Sequence, residues 1–310
     1  MKHTFKVTIA LVFFFFLAQF TGLLIINHYI DHVKTIKTKI VAWQPLPYGI
    51  ERPEVKNQSV SFIYITIAVL IGTVLVLLLI KFNKPFIWKI WFFATVWLTL
   101  SIAFAAFINR FVAALLALMV AILKLYKPNI IMQNLSEIFI YGGLAAIFVP
   151  ILNLFAAFML LIVISIYDFI AVYKTRHMIK LAKFQSKSKV FAGLFIPYEK
   201  GNLSLNPASK AKTKGKVSQM SGQKAGFRKS VAVLGGGDIG FTLLFAGVVM
   251  KGLMLQNTIL AGFLKTLIIP VFVSLSLLFL LLKGQENKFY PAMPILSIGC
   301  FVGYLAVLLV

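Results

Sequence analysis

Only three aspartates occur in the 310 residues, and two of them, Asp168 and Asp238, lie in stretches that are otherwise almost wholly apolar. Asp168 sits in MLLIVISIYDFIAVY and Asp238 in SVAVLGGGDIGFTLLFAG. A carboxyl in hydrocarbon is costly and is usually retained for function. One alone is equally well explained as a brace, for instance Asp168 with Lys174 or Arg176. Two carboxyls held close together in a low dielectric cannot both ionise easily, so they share a proton. The ionised member takes a proton from water as the water attacks an amide carbonyl. The protonated member donates a hydrogen bond to the carbonyl oxygen and later helps to protonate the leaving nitrogen. That chemistry needs neither metal nor organic cofactor.

Such a pair must be brought to one level. Asp168 lies six residues before Lys174, the first cation of a long polar interruption, and Asp238 lies nine residues after Lys229, the last. At 1.5 Å per helical residue, these positions are about 9 and about 13 Å deep from the same membrane face. The two helices are consecutive and antiparallel, so both carboxyls can meet. Gly235, Gly236 and Gly237 remove side chains just before Asp238, which admits a close neighbour at a cost in helix stability.

Composition supplies the membrane. The mean hydropathy is +0.94 and 60 % of residues are apolar, with 13 % charged, which excludes an ordinary soluble domain. Nine segments are predicted to span, at 7–30, 59–80, 86–108, 110–126, 130–148, 151–172, 231–250, 256–282 and 291–310, giving an all-α polytopic membrane protein with about nine transmembrane helices. The first is too long for a signal-peptide core and lacks a small-residue cleavage site, so it reads as a helix. The fourth has only 13 apolar residues between Arg110 and Lys124, so both cations are expected to snorkel. Three regions follow: 1–173 with six helices, a basic loop 174–230, and 231–310 with three helices.

The net charge of +23 comes with 14 Lys or Arg between Lys174 and Lys229 against one acid, Glu199. No base-reading or stacking module accompanies them, so they point to a cytoplasmic loop beside anionic headgroups and away from nucleic acid. Placing this loop inside puts the cation pairs Lys2/Lys6, Lys81/Lys84, Lys124/Lys127 and Lys283/Lys288 inside as well. The N-terminus is then cytoplasmic and the C-terminus external, across the cell membrane. Residues 201–230, rich in Gly, Ser and Lys, read as a mobile linker, and 190–198 (VFAGLFIPY) as a segment on the membrane surface or packed on the helices.

Other catalytic classes find little footing. The four histidines form no HExxH pair and no GxSxG occurs, while Cys300 is the single cysteine. Glu137 reads as a headgroup-level residue, Lys265 as a snorkelling cation, and Phe13–Phe16 as lipid-facing or packing surface. Buried acids also mark ion paths, so an ion- or proton-coupled membrane transporter is the alternative.

Tyr167-Asp168 and Gly235-Gly236-Gly237-Asp238 resemble the YD and GxGD motifs of presenilins and signal peptide peptidases, and YDFIAVYKTRHMIKLAK is similar to the archaeal presenilin homologues. Pro291-Ala292-Met293-Pro294 stands where that family carries its PAL motif, with Met293 in place of the usual Leu. Ile239 follows the second aspartate as in signal peptide peptidases, whereas the charge-derived orientation is that of presenilins. Prepilin peptidases share a GxGD aspartate but not the other two motifs. The resemblance implies an intramembrane aspartyl endopeptidase acting on single transmembrane helices whose N-terminus is external. It also implies that Pro291–Met293 shapes the site and positions an unwound substrate through backbone contacts. Tyr167 is expected either to hydrogen-bond near the pair or to anchor at the interface.

Overall fold

A computed structural model describes residues 5–82, 84–127, 129–174, 184, 192–199, 229–284 and 290–310. Most of the linker expected over 201–230 lies outside the described residues, as do Lys2, Arg176 and Lys288.

Each predicted span has a helical counterpart among the described residues. In chain order these are α1 (Phe5–His28), the short α2 (His32–Thr38), α3 (Ser61–Lys81), α4 (Pro85–Ala105), α5 (Arg110–Tyr126), α6 (Ile130–Phe148) and α7 (Leu154–Phe169). A π turn, Ile170–Lys174, continues α7. Then come strands β1 (Gly193–Glu199) and β2 (Lys229–Gly235), and helices α8 (Gly236–Gln256), α9 (Ile259–Thr266), α10 (Ile268–Lys283) and α11 (Met293–Leu309). Seven of the helical stretches are long and apolar enough to cross a membrane, with α9 and α10 together forming one. α5 and α11 are shorter, at 17 residues each.

The sequence starts and stops these helices locally. Asn109, Asn129 and Asn153 cap α5, α6 and α7 with side-chain oxygens that accept backbone N–H groups of the first turn. Pro85 and Pro294 stand in the first turns of α4 and α11, where a missing N–H costs nothing. Asp31, the third aspartate, caps α2, and the Lys34 N–H that it accepts holds its carboxyl below the usual range.

The core runs through α1, α6, α7, α8, α10 and α11, where Leu11, Phe15, Leu160, Leu243, Phe245 and Leu296 are all buried. Burial here does not measure a hydrophobic drive, since lipid is as apolar as leucine; close packing does more of the holding. α6 shows how: a Cβ on Gly143 would collide with the Thr99 backbone of α4, so glycine lets the two helices touch.

Three expectations need correction. The seventh segment does not begin as a helix at 231. Residues 229–235 form β2, antiparallel to β1, with Gly193 opposite Gly235 and Phe195 opposite Val233, and residues 193–198 of the segment VFAGLFIPY lie in β1. Glu137 does not sit among headgroups but is fully buried, and Lys124 does not snorkel but turns inward to meet it, Nζ to Oε1 at 2.5 Å. The Phe run agrees with both of its expected uses, Phe15 being buried in the packing and Phe13 exposed. Lys265, expected to snorkel, donates from Nζ to the Val310 carbonyl at 3.1 Å near the break between α9 and α10.

Candidate active site

Asp168 is the penultimate residue of α7, and Asp238 lies in the first turn of α8, not two turns down a longer helix. The strand accounts for the difference. β2 runs up to Gly235, which takes extended angles (φ −67°, ψ 145°) as the N-cap, and the chain turns into helix at Gly236. Asp238 is therefore the third helical residue. Its carboxyl reaches back to the Gly235 N–H, much as a capping-box acid does. The helix dipole favours negative charge at that place.

Asp168 is buried and comes from the unfavourable end of its own helix, but it borrows another. Met293, the first residue of α11, donates its N–H to Asp168 Oδ2 at 3.1 Å, and the Ala292 N–H bears on the same carboxyl. One turn on either side, Ser165 of α7 and Ser297 of α11 join their hydroxyls at 2.8 Å. The segment Pro291-Ala292-Met293-Pro294 is thus a helix start laid onto the Asp168 carboxyl, with Pro291 and Met293 buried. Asp168 and Asp238 lie within electrostatic reach of one another, so two acids far apart in sequence form one site at one end of the bundle.

The remaining expected residues divide. Gly235 lies against Asp238, Oδ2 standing 3.2 Å from where its Cβ would be. At Gly236 a Cβ would run into the Tyr141 hydroxyl, and Gly237 is exposed. Tyr167 joins its hydroxyl to Thr73 Oγ1 of α3 at 3.0 Å, tying α3 to the turn that carries Asp168.

Several residues of this neighbourhood were not singled out from sequence. Gln19, buried in α1, donates to the Ile239 carbonyl at 2.9 Å and to Thr242 Oγ1 at 2.8 Å; Thr242 in turn donates to the Asp238 carbonyl at 2.8 Å. Asn134 of α6 grips β1 from outside, donating to the Phe195 carbonyl at 2.7 Å and accepting its N–H at 2.8 Å. Gln133 donates to the Gly193 carbonyl at 3.0 Å. Gln19 is a lone amide in an apolar helix, and Gln133 and Asn134 are an adjacent pair of amides; these are the signals that mark them in retrospect. Among the described residues, no group of three or more His, Cys, Asp or Glu is disposed to hold a metal ion.

Comparison with known proteins fits this geometry. The family described as "Signal-peptide peptidase, presenilin aspartyl protease" matches residues 47–310. Two crystal forms of a presenilin family intramembrane aspartate protease, in space groups C222 and P2, superpose with a TM-score of 0.57 at 17 % identity. Each covers 97 % of this chain, which in turn covers 98 % and 96 % of theirs. At that identity the likeness concerns the fold. No curated protein sequence matches the chain.

Proposed function

We infer function from family: the chain belongs to the signal-peptide peptidase and presenilin family of aspartyl proteases, and it is a multi-pass intramembrane aspartyl protease acting on transmembrane segments in a lipid bilayer. Nothing found favours the transporter.

Asp168 and Asp238 are the residues we assign to the catalytic pair. The observation that carries this is that the two carboxyls lie within electrostatic reach of one another, each resting on backbone N–H groups at a helix start. One proton is shared between them. The ionised member draws a proton from water, and the protonated member polarises the scissile carbonyl. Both carboxyls are aimed by backbone, so the alignment costs little reorganisation during reaction.

The substrate must unwind, because a helix hides its amide carbons. β2 offers a template. Phe195 gives both its backbone groups to Asn134, so the Phe195–Val233 pair is one of the non-hydrogen-bonded pairs of the hairpin. Val233 then turns its own N–H and C=O toward the far edge of β2, where an extended segment pairs and recovers the bonds lost on unwinding. That edge leads into the Asp238 turn. Ala292 and Met293 would flank the same segment from the Asp168 side.

Orientation follows from the cation pairs: N-terminus cytoplasmic, C-terminus external, site opening to the cytoplasm, and substrates with an external N-terminus. The basic loop would lie along anionic headgroups.

The test is cleavage of a helical reporter by the detergent-purified protein. Asp168→Ala and Asp238→Ala should each be inactive, and full cleavage by either refutes the pair. Reporters of opposite orientation in liposomes test the topology, and exclusive cleavage of those with a cytoplasmic N-terminus overturns it. Val233→Pro removes an N–H that the hairpin does not use. It should slow cleavage about fivefold, one strand-pairing bond being of the order of 1 kcal/mol, and unchanged cleavage would argue against pairing on β2.

A further inference from the structure

Three buried groups next to the aspartate pair are not used by the hydrolytic scheme. Glu137 is fully buried, Lys124 is 4 % exposed and Tyr141 5 % exposed, and the three form a chain across α5 and α6. Lys124 donates to Ser136 Oγ at 2.8 Å and to Glu137 Oε1 at 2.5 Å, and Gln133 adds a bond to the same oxygen at 2.9 Å. The other Glu137 oxygen accepts from the Tyr141 hydroxyl. A buried ion pair contributes little net stability over an apolar replacement, whereas its removal by halves is costly. What such a pair can supply is fixed geometry.

The chain ends on the Asp238 turn. The Tyr141 hydroxyl occupies the place of a Cβ at residue 236, the Tyr141 ring lies along Gly240, and the Asp238 charge reaches Tyr141. Glycine at 236 is thereby required by the tyrosine, since its backbone lies outside the left-handed region. Gln133, next to Glu137, also holds the Gly193 carbonyl, and the Gly236 N–H donates to the Ala192 carbonyl at 3.2 Å. The turn bearing Asp238 is therefore seated between a hairpin and a tyrosine that both hang from one buried carboxylate.

We propose that Tyr141, oriented by Glu137 and Lys124, is a positioning residue that sets the Gly236–Asp238 turn against Asp168. The proposal rests on Asp238 being catalytic. A side chain of this kind acts on the alignment of the reacting groups and little on the binding of a long substrate. A displacement of about 1 Å in a reacting group costs roughly a hundredfold in rate.

The full-length protein in detergent, with a helical reporter, gives kcat, KM and melting temperature together. Tyr141→Phe keeps the ring and loses the hydroxyl; kcat should fall about tenfold to a hundredfold, with KM and melting temperature close to those of the unaltered protein. Glu137→Gln, which keeps an acceptor for the tyrosine, should retain more of kcat than Glu137→Leu. Unaltered kcat in Tyr141→Phe overturns the proposal. If Tyr141→Phe fails to fold, Lys124→Met combined with Glu137→Leu, which removes the tyrosine's acceptor and strands no charge, decides: kcat reduced at constant KM supports positioning, and unaltered kcat overturns it. Asp238→Ala in the same assay separates the two layers. Cleavage by it would refute the catalytic reading, whereas its inactivity beside a fully active Tyr141→Phe would refute the positioning role alone.

Discussion

Asp168 and Asp238 both rest on the open N–H groups of a helix start, yet their neighbourhoods are built differently. Asp238 caps its own helix and is enclosed by a hairpin, a buried glutamine and a charged chain from two further helices. Asp168 leans on the start of a separate helix, α11, through the Met293 N–H and one serine pair. The first arrangement is fixed within a dense polar network. The second depends on two helices remaining in contact. A carboxyl pair assembled this way has one member anchored and one whose alignment follows the docking of α11.

Substitutions can break that contrast. The largest effect is expected on the anchored side: Lys124→Ala leaves Glu137 buried and unpaired, a loss of about 3–5 kcal/mol, read as a markedly lower melting temperature in detergent. Lys124→Met combined with Glu137→Leu should recover much of it, since an apolar pair of similar volume avoids the stranded charge. Gln19→Leu removes two donors from the first turns of α8 and should cost about 1–3 kcal/mol, leaving Ile239 and Thr242 without that partner. The smallest effect is expected on the docking side. Ser297→Ala deletes one hydroxyl pair between membrane helices, worth about 0.6 kcal/mol, so melting should hardly shift while any change appears in kcat. A stability loss at Ser297 equal to that at Lys124 would erase the distinction between the two sides.

How much of this was legible in the sequence follows from the range of the interactions. Asp168, Asp238 and Pro291–Pro294 stand out because charge and proline are rare in apolar runs, and the spans follow from hydropathy. The hairpin was hidden because VAVLGG is apolar without a clear period, and its partner strand lies beyond a long basic loop. Lys124 and Glu137 were read singly, as two interfacial residues. Opposite charges near the same end of two consecutive helices were the available signal, but their pairing is a tertiary fact. Placing Asp238 two turns into a helix had the same origin, since the strand that shortens the helix forms only by long-range pairing.

α6 carries a mechanical consequence. At one end Asn134 and Gln133 hold β1. At the other end Arg52 donates to the Ala146 carbonyl at 3.3 Å, and Lys251 donates to the Val149 carbonyl at 3.1 Å and to that of Leu152. A rod clamped at both ends and packed backbone to backbone against α4 acts as a keel, and tilting it would break bonds on both faces at once. Two-thirds of its spanning stretch is buried, against 11 % for the stretch containing α3. Compliance is therefore unevenly shared: when the bundle parts to take in a guest helix, the strain falls on peripheral members such as α3, and the keel keeps the Asp238 turn still.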